Sequence, residues 1–476
     1  MPMTTPFTRR RFLASMAGAA GTSALPFAAT LAAMGNAAAA DNDDYKALVC
    51  VFLTGGNDAY NTVLATDPTS WQQYERYRSS GSTSIALAPP GAAGGVLPIT
   101  PAAAHAGRSF ALHPNLGSLK SLFDAGRVGI VANVGTLVAP TTVGAYRSGT
   151  AMLPRELFSH NDQQSVWQSS MPEGASYGWG GRMGDLLASG NSNNMFTCVS
   201  TAGNAVFVSG RNVSQYQVDA AGVKPVLSLD GYLFGTTRHP LRNIITNNAT
   251  SNVLEREYVA IVNKALQSQA FLGSAMAPSG AAGIPAPTTY IDPNTRRATV
   301  NPLAVQLQTV ARVIAARGAL GVRRQVFFVS LGGFDTHDNQ RTRHADLMAR
   351  LAHGLSYFDE ISANLMGVNM REKVTLFTAS DFGRTLVTNG DGTDHGWGNH
   401  HFVMGGAVKG RNIYGSFPAV GLGHDSDVGR GALLPSQSVD QYGATLASWF
   451  GVPDSQLATV FPNLPNFAQR NLGFMA

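Results

Sequence analysis

Cysteine, net charge and long apolar runs are all scarce in this chain. Two cysteines in 476 residues, Cys50 and Cys198, are too few for a disulfide framework. Both stand in apolar, strand-like runs, where a free buried pair is expected rather than a bridge. Basic and acidic side chains number 34 and 29. The first forty residues hold three arginines and no acid, so the remainder carries 31 − 29 = +2. A balance that near neutrality gives no reason to expect a nucleic-acid-binding surface. After residue 40 there is no run of about twenty apolar residues, which excludes a polytopic membrane protein.

The N-terminus is rich in what export requires. Thr8-Arg9-Arg10-Arg11-Phe12-Leu13 sets adjacent arginines before an apolar pair, and Ala14 to Ala33 is apolar and uncharged. Ala37 to Ala40 supplies small residues for a signal peptidase, ahead of the polar Asp41-Asn42-Asp43-Asp44. Residues 1–40 are therefore expected to be a twin-arginine signal, read by the Tat translocase and leading to a periplasmic or secreted protein. Retention as an uncleaved anchor is the alternative.

Residues 41–476 alternate strand-like and helix-periodic stretches. This predicts an α/β domain with a mostly parallel central sheet and helices on both faces. Strands are expected at 47–53, 128–133, 196–199, 205–208, 326–330 and 374–378. Helices are expected at 116–125, at 301–317, and over the stretch carrying Leu347, Leu351, Leu355, Phe358 and Ile361 on one face. Long irregular loops are expected at 80–101, 274–296 and 386–416, with a possible cap or insertion around 210–300.

Three expected strands end in loops containing Asp: Asp58, Asp335 with His337, and Asp381. The carboxyl ends of parallel strands share one crest, so these side chains can converge although distant in sequence. His395 follows within the Gly392–His401 run. Asp and His on several loops suit a divalent ion such as zinc, manganese, magnesium or calcium. The alternative is that the aspartates cap helices or form Asx turns. Gly174-Ala175-Ser176-Tyr177-Gly178 matches a nucleophile-elbow pattern by chance, because no strand precedes it. Trp179 reads as a packing residue.

Five stretches, in order, resemble the domain of unknown function 1501 family. They are Phe52–Asp58, Phe158–Gln164, Gly333–His337, Ser380–Thr385 and Gly392–His401, and the ending from Asp440 to Leu464 is similar too. That family is grouped by resemblance with alkaline phosphatases and sulfatases. The resemblance implies a metal-dependent hydrolase of small phosphate or sulfate esters, which the N-terminal signal would make an exported one; zinc, manganese or calcium would serve as the ion. It places Asp58, Asp335, His337, Asp381 and His395 as metal ligands. It also implies a hydroxyl nucleophile at a helix N-terminus, which Ser159 fits, and Arg384 as the holder of the ester oxygens. An N-cap role for Ser159 is the alternative. Two departures stand out: Phe382 follows the third aspartate where phosphatases usually have histidine, and one residue separates Asp335 from His337. Both favour one metal, or an altered pair. The rival reading is a non-catalytic cell-envelope protein that binds a partner through the same fold.

Overall fold

Strand β1 (Lys46–Thr54) is buried on both faces, as a central parallel strand requires. Ala47, Val49, Val51 and Leu53 enter one core, while Leu48, Cys50 and Phe52 enter another. The computed structural model describes residues 44–476 apart from 81–82, 221, 224–231, 235–236, 239, 248 and 250–251. The expected export signal at 1–40 lies outside the described residues.

The central sheet also contains β2 (Val128–Gly135), β3 (Cys198–Ser200), β4 (Tyr216–Gln217), β5 (Arg324–Gly332), β6 (Val374–Ser380), β7 (Asn399–Met404), β8 (Ile413–Tyr414) and β9 (Gln437–Ser438). Its order is β8-β2-β7-β6-β1-β5-β3-β4, with β9 also on β2. Only β7 runs against its neighbours, pairing antiparallel with both β6 and β2. The sheet is thus mostly parallel, as expected.

Helices cover both faces. The helices used below are α1 (Pro68–Arg78), α2 (Gly117–Asp124), α3 (His160–Ser169), α4 (Trp179–Leu187), α5 (Pro302–Ala315), α6 (Gln340–Ala363) and α7 (Val439–Phe450). Helices α2, α5 and α6 fill the first core with Leu119, Leu307, Val310, Leu351 and Leu355. Helices α3, α4 and α7 fill the second with Trp167, Trp179, Leu446 and Phe450. Trp179 is fully buried and packs edge-on against Phe207, a packing residue as expected. Cys50 and Cys198 are free and buried.

Three expectations are corrected. Residues 386–416 are not one irregular loop: they contain β7, β8 and most of a hairpin, Arg384–Thr388 with Thr393–His395. Strand β7 is buried throughout, yet begins Asn399-His400-His401, and those polar residues hide its strand character. Residues 206–208 form a single 3₁₀ turn instead of a strand. Within the expected loops, Leu97–Ile99 and Thr289–Ile291 are short strands. Of the possible cap at 210–300, helix Val253–Ala275 seats Leu272 in the first core, and other parts fall outside the described residues. Among the described residues, no helix is long and apolar enough to cross a membrane.

Helix α7 opens with a capping box between Ser438 and Gln441. Its Asp440 is nearly sealed, and burial pushes its carboxyl up to about 6 against the hydrogen bonds from Asn463 and Ser170. The folded state then holds a proton that the unfolded state releases from about pH 4 upward. This carboxyl therefore contributes instability that grows as pH rises from about 4 to 6. Asp440→Asn is expected to raise stability at pH 7 by up to about 3 kcal/mol and at pH 5.5, where the protein is still folded, by only about 2 kcal/mol. Urea unfolding of both proteins at the two pH values checks this.

Candidate metal centre

The crest of the sheet is shaped by backbone before side chains. Gly55 follows β1 at φ +116°, and a Cβ there would lie 2.4 Å from the Asp335 nitrogen. Only glycine lets the loops after β1 and β5 approach so closely. Arg384, on the hairpin after β6, is 1% exposed and ties these loops together. Its Nε donates to Gly56 O (3.0 Å), Nη1 to Thr393 O (3.1 Å), and Nη2 to Phe334 O (3.2 Å), Gly55 O and Asp335 Oδ1. Each guanidinium nitrogen faces a protein acceptor, so the expected grip on ester oxygens would require one of these bonds to open.

Four donor atoms gather beside it. Asp335 Oδ1 lies 3.5 Å from His160 Nε2, 3.5 Å from His395 Nε2 and 3.1 Å from His337 Nε2. His337 Nε2 and His395 Nε2 are 2.9 Å apart. Ligand atoms held tetrahedrally at about 2.0–2.1 Å from an ion stand about 3.3–3.4 Å from one another. The observed spacings bracket that value. His160, Asp335 and His395 form a group able to hold a metal ion.

The outer nitrogens fix how the rings are presented. His160 Nδ1–H donates to Asp381 Oδ2 at 2.7 Å. This leaves the buried Nε2 as an acceptor with no hydrogen-bond partner, turned toward Asp335. His395 Nδ1–H donates to Phe158 O at 2.7 Å. Phe158 holds a left-handed backbone, φ +71°, just where its carbonyl receives that ring. Such outer partners set the tautomer of metal-binding histidines and aim their free nitrogen. Phe382 packs against both rings, at 4.7 Å from His160 and 4.6 Å from His395. The residue that departs from the phosphatase pattern is thus the apolar wall of the cluster.

Charge follows the same geometry. The hydrogen bond to Asp381 raises the His160 pKa against the opposing effect of burial. Burial lowers that of His395 despite its bond to Phe158 O. Burial also acts to raise Asp335, but the Arg384 hydrogen bond and charge outweigh it and hold the carboxylate below its usual range.

Of the expected ligands, Asp335, His337 and His395 are brought together. Asp381 stands behind them, and both its oxygens are taken: Oδ1 by the Gly55 N–H (3.1 Å), Oδ2 by His160 and Gln164 Nε2 (2.8 Å). Asp58 is not in the group. It is fully buried, paired through both oxygens with Arg78 of α1, and accepts from Gln340 and the Tyr60 N–H. Ser159 is the N-cap residue of α3, but its Oγ donates to Asp162 at 2.9 Å and caps no backbone N–H. His160 was not among the expected ligands, yet the structure places it in the group. The signal was present, since it is the first helical residue of the Phe158–Gln164 motif. Ser176 follows a turn, as expected.

The chain belongs to the family described as Protein of unknown function (DUF1501), whose profile matches residues 45–430. Among curated proteins none matches significantly. Several solved structures are similar at low identity. One is Ps i-CgsB in complex with k-i-k-neocarrahexaose, with 10% identity, 89% of this chain and 77% of that one covered, and a TM-score of 0.35. Another is the soluble domain of lipooligosaccharide phosphoethanolamine transferase A from Neisseria meningitidis, at 10%, 88%, 92% and 0.29. A third is the PsFucS1 sulfatase from Pseudoalteromonas sp., at 13%, 90%, 72% and 0.29. At these values the likenesses carry no argument about chemistry.

Proposed function

We propose that the chain is an exported, metal-dependent hydrolase of phosphate or sulfate esters. The observation that carries this is His160: its Nδ1–H is fixed on a buried carboxylate, and its unpartnered Nε2 faces Asp335 beside His395. His160, Asp335 and His395 would hold the ion. His337 is a fourth donor whose side chain is 43% exposed, so it stands at the solvent edge. Two imidazoles and one carboxylate, with His337 at the edge, suit zinc or manganese better than calcium, which prefers oxygen ligands. The ion would supply Lewis acidity toward an ester oxygen and a nearby hydroxyl. Ser159 precedes His160 at the N-terminus of α3, where the helix dipole favours an anion, and is our nucleophile. Export rests on the Arg9-Arg10-Arg11 signal and the Tat translocase.

A second reading, a non-catalytic envelope protein that binds a partner with the same metal site, is favoured by Arg384 and Ser159. Both are hydrogen-bonded within the protein. The two diverge in one assay of metal-loaded protein on a panel of phosphate and sulfate esters. The hydrolase reading expects turnover that falls at least about 10³-fold in Ser159→Ala. Tight metal without turnover of any ester would overturn it and leave the envelope reading.

A further inference from the structure

Helix α3 presents two faces at the crest. His160 and Gln164 face the metal cluster, while Asn161, Gln164 and Gln168, at helical spacing, line a neighbouring cleft of about 350 Å³. Gln164 belongs to both, since its Nε2 donates to Asp381 and its Oε1 bonds to none of the described residues. Gln168 is nine-tenths buried. Its Oε1 accepts from the Phe207 N–H (3.0 Å), and its Nε2 bonds to none of the described residues. Across the cleft, Asn204 Oδ1 accepts from Gln215 and Gln217, and its Nδ2 bonds to none of the described residues. Phe52 and Phe328 supply an apolar floor.

No lysine or arginine lines this cleft, and Glu173 is its one charged residue. An anionic group is therefore not what it recognises. Uncommitted amide halves supply both donors and acceptors, which suits hydroxyls, since each hydroxyl does both. Strand β1 lies between β5 and β6, and beyond Phe328 the outer edge of β5 is taken by Gln306, whose Oε1 accepts from the Ser330 N–H (3.1 Å) and whose Nε2 donates to Ser330 O (2.9 Å), so no free edge is offered there to an extended peptide.

We propose that this cleft is the subsite for an uncharged, hydroxyl-rich moiety, a sugar ring or polyol, joined to the ester group that the adjacent metal centre would take. The assignment rests on the ester reading for its place in a reaction, but sugar binding itself needs no ion. The test is titration of the purified full-length chain, metal-free and metal-loaded, with uncharged mono- and oligosaccharides and polyols, read by ligand-detected NMR. Binding at millimolar strength or tighter is expected in both forms. Gln168→Glu, which keeps the acceptor for Phe207 and removes the donor, should weaken it about tenfold, and Asn161→Ala similarly. Asn161→Ala should keep the wild-type Tm, and Gln168→Glu, which places a carboxylate at a nine-tenths buried position, is titrated below its own lower Tm. Absence of binding by every uncharged sugar, or unchanged affinity in both variants, would overturn the subsite even if simple aryl esters are hydrolysed. Sugar binding that weakens in the variants would uphold it even if no ester is turned over, in which case the ester reading alone fails.

Discussion

Acidification to about pH 5 is expected to unfold the protein cooperatively. Four histidines, His113, His344, His400 and His401, are almost wholly buried. Burial depresses all four: His344 to about 4, His400 and His401 to about 3, and His113 well below its usual value. Geometry agrees. His113 Nδ1 accepts from the Asn115 N–H and His400 Nδ1 from the Asn133 N–H, so protonation would set donor against donor. His401 Nε2 and His344 Nδ1 are buried without a partner among the described residues. Between about pH 6.5 and 4 the unfolded chain binds protons that the folded one refuses. The stabilising contribution is thus complete above pH 6.5 and lost as pH falls. At pH 5 each ring costs about 2 kcal/mol and the four about 8, comparable to the roughly 5–15 kcal/mol that holds a domain folded. Asp440 offsets only one of these protons. Circular dichroism against pH should show a steep transition, and His401→Gln should make it shallower by about one proton. A Tm unchanged from pH 7 to 4 would contradict the neutral-core account.

Loss of Asp58 should be the most damaging single change at the crest, for stability rather than for metal. Its carboxylate is sealed, and although burial opposes ionisation, Arg78 holds its pKa below the usual range. Removing it would leave the fully buried Arg78 guanidinium uncompensated, at a cost of about 3–5 kcal/mol. Asp335 should cost less, because its side chain is 46% exposed and the buried Arg384 it leaves keeps four backbone carbonyl acceptors. Denaturant midpoints of metal-free Asp58→Ala and Asp335→Ala separate the two. Equal midpoints would contradict the sealed Asp58–Arg78 pair as the source of that cost.

The same contrast shows what the sequence could convey. Strand–helix alternation made the mostly parallel sheet legible, because β1, β5 and β6 are continuous apolar runs flanked by helical periodicity. That Asp58, Asp335 and Asp381 share the crest followed from strand polarity alone. Their roles did not, because an aspartate after a strand looks the same whether it meets an ion, a guanidinium or an imidazole. Asp58 meets Arg78 from a helix twenty residues on, and Asp381 meets His160 from far upstream. Strand β7 was hidden for a related reason: histidines read as solvent-facing or functional, whereas His400 and His401 are neutral core residues held by Asn133 and Thr378.

The most direct test of the metal centre is the bound-ion content of protein purified without chelator and dialysed against zinc and manganese, beside His160→Ala and Asp381→Asn. In Asp381→Asn an amide oxygen facing the fixed Gly55 N–H puts the NH₂ against His160 and Gln164, so the Gln164 amide must turn over and the His160 ring must carry its proton on Nε2. We expect one ion per chain in the wild type, none in His160→Ala, and affinity reduced about 10–100-fold in Asp381→Asn with the fold intact. A wild-type chain that holds no ion, or an Asp381→Asn chain that binds as tightly as wild type, would contradict the account.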